Sequence, residues 1–315
     1  MTLQSEVLDD PNYIPCLDYG FTGIVDSMGD DHAIANAARV SYGKGTKSVR
    51  GDKSLIRYLV RHFHTSPIEM AEVKFHLKLP IFVMRQLVRH RTASLNEYSG
   101  RYSEMSNEFY IPEMDVIQPQ STDNKQGRAG EISDQSKNGV RWLFKALYEV
   151  VYDGYQTLLG SREAEKFIQG EPLYDAYGSD DPLLDENYAG LTRELSRAVL
   201  SVGNYTECYF KMDLSNILKM LKLRMDGHAQ YEIRVFANAM YNLIKPLFPA
   251  TCEAAEDYLF QSYTLSRMET NIVKDLLAVA KQHSTLVVEG KEKEMAEAYG
   301  MSERELTEFR TKFEI

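Results

Sequence analysis

The chain has 315 residues, 43% hydrophobic and 26% charged, with 36 Lys and Arg against 46 Asp and Glu for a formal charge of −10. That is enough to bury a sizeable core in one large domain or two smaller ones. No apolar run approaches the roughly 18 residues of a membrane helix, MTLQSEVLDDPNYIP reads as no signal peptide, and an acidic chain is a poor match for a nucleic-acid backbone. Cys16, Cys208 and Cys252 are odd in number and far apart, which argues against a disulfide framework and a zinc site. The expected setting is the reducing cytoplasm, with neither membrane nor nucleic acid as a partner.

Residues 20 to 65 read as strand, helix, helix. FTGIVDSM is a short apolar run, DHAIANAARVSY has helical spacing with Asp31 as N-cap candidate, and KSLIRYLVRHF repeats apolar residues at three and four. EVKFHLKL alternates, with Val73, Phe75, Leu77 and Leu79 on one side and Glu72, Lys74, His76 and Lys78 on the other, a half-buried strand. Pro80 ends it and suits the first turn of a helix, PIFVMRQLVRHR, expected to run into three basic residues. Residues 118–138 are polar and aperiodic, an exposed loop by composition. A long helix, GVRWLFKALYEVVYDGYQTLL, and an acidic loop around YGSDDPLLDENY follow. LTRELSRAVLS, DLSNILKMLKLRMD and AQYEIRVFANAMYNLIKPLF read as helices, the last ending at Pro249, and the final fifty residues as two or more amphipathic helices. One composite α/β domain with helices in the majority is expected.

The densest chemical signal is MRQLVRHRTASLNEYSGRYSEM, residues 84–105, which carries Arg85, Arg89, His90, Arg91 and Arg101 in an otherwise acidic protein. Arginine offers a planar fork of donors that matches phosphate oxygens. A Ser-Gly-Arg turn can also aim backbone N–H groups at an anion. By composition alone, a solvated helix end is an equally good account of these charges.

The order of residues separates the two. Arg89-His90-Arg91, Ser94, Asn96, Ser99, Arg101 and Tyr102 form RHRxxSxNxxSxRY, which resembles the signature of the flavin-dependent thymidylate synthase (ThyX) family. ARVSYGKG with Ser41, HFHTSPIEM with His64, Ser66 and Glu69, LTRELSRAVLSVGNYTECYFKMDLSNIL with Arg197, and LKLRMDGHAQYEIR with Arg224 and His228 resemble further segments of that family in order. The resemblance covers most of residues 20–265. It leaves 118–138 and 170–190 as insertions and 266–315 as a helical extension of a helix-rich single domain, 1–315, around a small, mainly antiparallel sheet.

The resemblance implies methylation of dUMP to dTMP, with methylenetetrahydrofolate giving the carbon and FAD, reduced by NADPH, giving the hydride. It implies dUMP contacts at Gln86, Arg89, Glu97, Tyr98, Ser99, Gly100, Arg101, Arg197 and Arg224, with Arg224 catalytic beside the pyrimidine. It implies FAD contacts at Ser41, His64, Ser66, Glu69, Arg89, His90, Arg91, Glu97, Lys219 and His228, no metal, and a homotetramer with shared sites. Read alone, Arg224 is a helix-surface arginine paired with Asp226 or Glu232. Ser99 has no His–carboxylate pair to activate it and is expected to bind rather than attack. The cysteines, His32, His76 and His283 are expected to be structural. The chain departs from the family's pattern at Leu200-Ser201, and at Ser215 and Lys219 on the flavin side. These departures motivate an alternative, a non-catalytic nucleotide-binding protein of the same fold; a nucleic-acid module stacking bases on Tyr98 and Tyr102 is a more distant one.

Overall fold

The structure, a computed structural model, describes residues 10–40, 51–122, 127–161, 188–282 and 296–313. Ser41, His283 and most of the acidic stretch 170–190 lie outside them. Five strands, β1 (Tyr13–Cys16), β2 (Gly20–Met28), β3 (Glu72–Pro80), β4 (Ser94–Glu97) and β5 (Tyr205–Asp213), form one antiparallel sheet in the order β1-β2-β3-β5-β4. The helices are α1 (Asp31–Val40), α2 (Asp52–Arg61), α3 (Ile81–Leu87), α4 (Asp134–Leu158), α5 (Arg193–Ser196), α6 (Leu214–Arg224), α7 (Tyr231–Ile244), α8 (Pro249–Ala255), α9 (Arg267–Gln282) and α10 (Glu303–Phe313). Contacts divide the chain into two compact units, Met1–Phe260 and Gln261–Ile315, the second holding α9 and α10.

The sheet and the helices over it make the core of the first unit. Val73, Phe75, Leu77 and Leu79 of β3 are all buried, as their alternation predicts. They share their face with Cys208, Phe210 and Met212 of β5, in the register Val73↔Met212, Phe75↔Phe210 and Leu77↔Cys208. Against this face lie Val83 and Leu87 of α3, Ile217 and Leu221 of α6, and Ile233, Phe236 and Met240 of α7. Burying such side chains is the main term holding the unit together. The opposite face is polar and hydrogen-bonded: His76 lies between Tyr13 (Oη···Nδ1 3.0 Å) and Glu207 (Nε2···Oε1 2.6 Å).

Several boundaries differ from the sequence reading. Helix α3 stops at Leu87, so the three basic residues are not its last turn. Ser94 pairs with Lys211 across β4 and β5, and the chain must turn back between 88 and 93, closed by His90 N–H to Leu87 O and Ala93 N–H to His90 O. Helix α4 starts inside the polar stretch, because the Ser133 hydroxyl caps it by accepting from Ser136 N–H. α7 ends at Ile244, and Pro249 starts α8 instead of ending α7. Asp31 does not cap its own helix; Asp30 does, accepting from Ala33 N–H. The Asp31 carboxylate instead accepts from the N–H groups of Ala250 (2.6 Å) and Thr251 (3.1 Å), which are the orphan donors at the start of α8.

Candidate active site

Two groups of basic side chains form on the first unit. The first gathers where α3 and α6 both end. Arg224, the last residue of α6, donates from Nε to His90 Nε2 (3.0 Å) and from Nη2 to the Gln86 carbonyl (3.1 Å). The Gln86 amide donates to Gln230 Oε1 at 2.6 Å. Carbonyls at a helix C-terminus are negatively polarised, so Gln86 O is a suitable acceptor for a guanidinium. Burial and then the Arg224 charge hold the His90 imidazole below its ordinary pKa. Burial also lowers that of Arg224.

The surface pairing of Arg224 with Asp226 or Glu232 does not form. Asp226 accepts from both the backbone N–H and Nδ1 of His228, each at 2.8 Å, and these bonds hold its carboxyl below the usual range. Glu232 is buried and held by Arg128 (2.6 and 2.8 Å) and the Tyr110 hydroxyl (2.9 Å). His228 lies beyond the end of α6 and sits exposed in the following turn.

The second group is built on the turn after β4. Tyr102 and Ser103 donate their N–H groups to the Ser99 carbonyl, and Arg101 N–H reaches Ser99 Oγ at 3.4 Å. Gly100 is buried here, and a β-carbon at that position would lie 3.2 Å from Cδ of Arg197. So the turn and the second basic segment meet. Two ion pairs flank the meeting point, Arg101 with Glu194 (3.4 Å) and Arg193 with Glu104 (3.7 Å). Glu97 accepts from Thr206 Oγ1 at 2.9 Å, and the Tyr98 hydroxyl donates to Glu104 O at 2.7 Å. Among the described residues, no hydrogen bond or ion pair joins this group to the one around Arg224.

A third stretch, 62–70, follows α2. His64 and Ser66 are exposed, Glu69 is half-buried, and the His64 ring stacks on Tyr58 with centroids 5.6 Å apart. The short 3-10 turn Ile68–Met70 packs on α6, the helix that carries exposed Lys219 and, one turn earlier, buried Ser215. Ser201 Oγ accepts from Gly203 N–H at 3.0 Å. A cavity of about 740 Å³ opens beside the first group, lined by Phe82, Tyr110, Phe144, Tyr148, Gln230 and Glu232 among others.

Comparison with known proteins decides the family. The family model described as thymidylate synthase complementing protein matches residues 23–250. The flavin-dependent thymidylate synthase of Rickettsia conorii is 45% identical over 273 residues, 86% of this chain and 87% of its own. The chain belongs to the flavin-dependent thymidylate synthase family. The synthase of Ehrlichia ruminantium is 46% identical over 262 residues, 83% of this chain and 79% of its own. A solved UMP/dUMP methylase, PolB from Streptomyces cacaoi bound with 5-Br UMP, superposes with a TM-score of 0.63 at 29% identity, covering 79% of this chain and 99% of the other.

The donor set of this flavin-dependent synthase family member fits a flavin that carries phosphate. Arg89 and Arg91 are exposed and form no ion pair among the described residues, in a chain of charge −10. Unpaired guanidinium groups beside a polar turn are what a diphosphate requires. No group of three or more His, Cys, Asp or Glu among the described residues is placed to hold a metal ion. No helix among them is long and apolar enough to cross a membrane. Sequence reasoning missed Gln230, Glu194 and the Arg128–Glu232 pair. Their signal is spatial: each acts on a residue between 93 and 144 positions away.

Proposed function

We propose that the chain methylates dUMP to dTMP, with FAD as its cofactor and NADPH and methylenetetrahydrofolate as co-substrates. The observation that carries this reading is the convergence of the Ser99-Gly100-Arg101 turn on Arg197, together with a second, separate arginine, Arg224, held by its inner donors. A phosphate and a pyrimidine need those two different things.

The roles follow from the chemistry. Ser99, Gly100, Arg101 and Arg197 hold the dianionic phosphate, through a hydroxyl, turn N–H groups and two guanidinium groups. Gln86, Arg89, Glu97 and Tyr98 contact the rest of the nucleotide. Arg224 presents its outer N–H groups to the uracil and stabilises negative charge that develops on the ring as C5 becomes nucleophilic. Ser41, His64, Ser66, Glu69, Arg89, His90, Arg91, Glu97, Lys219 and His228 make up the FAD side. When bound, the reduced flavin supplies the hydride that completes the methyl group.

Among the described residues of one protomer no hydrogen bond or ion pair joins the two basic groups, which supports a homotetramer in which one copy's phosphate turn serves its neighbour's pyrimidine side. The three cysteines are free and buried, a usage that suits the cytoplasm.

The test is dTMP synthesis by the flavin-loaded protein with all three substrates, beside a visible spectrum taken with and without dUMP. Flavin bands that shift on dUMP addition and turnover that needs NADPH are expected. Arg224→Lys should keep the flavin and lose on the order of a hundredfold in kcat/KM. Retained dUMP binding with no flavin and no dTMP would overturn the synthase in favour of a nucleotide-binding protein.

A further inference from the structure

Two of the five N–H bonds of Arg224 are committed within the protein, Nε to His90 Nε2 at 3.0 Å and Nη2 to the Gln86 carbonyl at 3.1 Å. Two bonds fix the plane of a planar group, so the other three N–H bonds are held as a set on its outer edge. A guanidinium keeps its charge in proteins and has no lone pair to offer. The imidazole must therefore be the acceptor. Nε2 of His90 carries no proton, and the ring's one N–H is on Nδ1.

We infer that His90 is a positioning residue for Arg224, a neutral Nδ1–H imidazole whose Nε2 aims the guanidinium at the pyrimidine. This rests on the reading of Arg224 as the uracil-side arginine. The role differs from flavin contact, which the resemblance alone implies for His90.

The surroundings keep the ring neutral. α6 brings Arg224 against it, α3 brings the Gln86 carbonyl alongside, and its chain neighbours Arg89 and Arg91 are exposed cations. The carboxylates of the next turn and helix are engaged elsewhere, Asp226 by His228 and Glu232 by Arg128 and Tyr110. Burial and the Arg224 charge both work against protonation. In acid the ring gains a proton on Nε2, an N–H then faces an N–H, and the contact is lost.

The experiment uses the flavin-loaded full chain labelled with ¹⁵N at histidine. At pH 7.5 the resonance that disappears in His90→Gln should show Nδ1 protonated and Nε2 pyridine-like, and should titrate below about pH 6.5. dUMP affinity is then compared between wild type and His90→Gln at each pH, which cancels protonation of the nucleotide's own phosphate. The Gln amide oxygen accepts from Nε and does not titrate. The ratio of wild-type to His90→Gln affinity should fall by roughly tenfold between pH 7.5 and a pH below the His90 midpoint. His90→Ala should be weaker by roughly tenfold or more at every pH. A proton on Nε2 at pH 7.5, or a ratio that does not change with pH, would overturn the inference. Undiminished dTMP synthesis by Arg224→Lys with the His90 tautomer unchanged would instead overturn the assignment of Arg224, through a separate readout.

Discussion

Gly100 and Arg197 approach so closely that the glycine cannot carry a side chain without displacing its neighbours. An added β-carbon would lie 3.2 Å from Arg197 Cδ and 2.9 Å from Met105 Sδ. Met105 is buried and its backbone N–H is held by the Tyr155 hydroxyl, so Arg197 is the freer of the two to move. Gly100→Ala should therefore shift the guanidinium away from the phosphate position. Its dUMP affinity should fall about tenfold while flavin retention stays unchanged, with up to about 2 kcal/mol of overpacking cost. A nucleotide titration at constant ionic strength measures this, and wild-type affinity would remove Arg197 from the phosphate site.

Arg101 is paired with Glu194, which on the proposed assignment puts a carboxylate beside the phosphate oxygens. Both side chains are more than half exposed, so the pair itself is weak. It still competes, because dUMP must displace the carboxylate or bind beside it. Glu194→Gln keeps the shape and removes the charge, and should tighten dUMP binding by about two- to fivefold at low salt. The gain should shrink as salt screens the pair. Calorimetry at two ionic strengths would show it, and weaker binding by the variant would mean that Glu194 orients Arg101 for the phosphate.

What the sequence made legible, and what it did not, follows from how far each signal acts along the chain. Strand β3 was readable because Val73 to Leu79 alternate without a break, and the Ser99-Gly100-Arg101 turn because its residues are contiguous. Strand β4 was not, since Ser94 to Glu97 are all exposed and only pairing with β5 makes them a strand. β5 itself alternates Cys208, Phe210 and Met212 with Glu207, Tyr209 and Lys211, but it sits between two helical segments that masked it. Asp31 reads locally as the cap of α1, yet it caps α8 from 219 residues away. No local rule contains that distance. The same limit hid the partner of Arg224: Asp226 and Glu232 were near in sequence, and His90, 134 residues away, was near in space.

The three cysteines bear on which chemistry the site can use. Burial raises each thiol to a pKa of about 12, so none is a thiolate at neutral pH. Iodoacetamide at pH 8 should leave the native protein unmodified and its dTMP synthesis intact, whereas the urea-unfolded chain should take up three equivalents. Mass spectrometry counts the adducts. Rapid inactivation by a single adduct on the folded protein would put a thiol in the mechanism.

Glu232 is the buried charge on which the polar insert depends. Its carboxylate is almost fully shielded, it accepts from Arg128 Nη2 through both oxygens, and Arg128 also donates to Val116 O. Tyr110 donates to the same carboxylate, and burial raises its hydroxyl pKa far enough to keep it a donor throughout the working range. Breaking a buried pair by removing one partner strands the other, at a cost of roughly 3–5 kcal/mol, while replacing both with apolar groups of like volume costs much less. Arg128→Met should therefore destabilise the chain more than the double variant Arg128→Met, Glu232→Met, in which no buried charge is left alone. Urea unfolding followed by tryptophan fluorescence suits the measurement, because Trp142 lies on α4, the helix that walls the same cavity. Strictly additive losses in the two single variants would show that Arg128 and Glu232 act independently, and the insert would then be held by its backbone contacts alone.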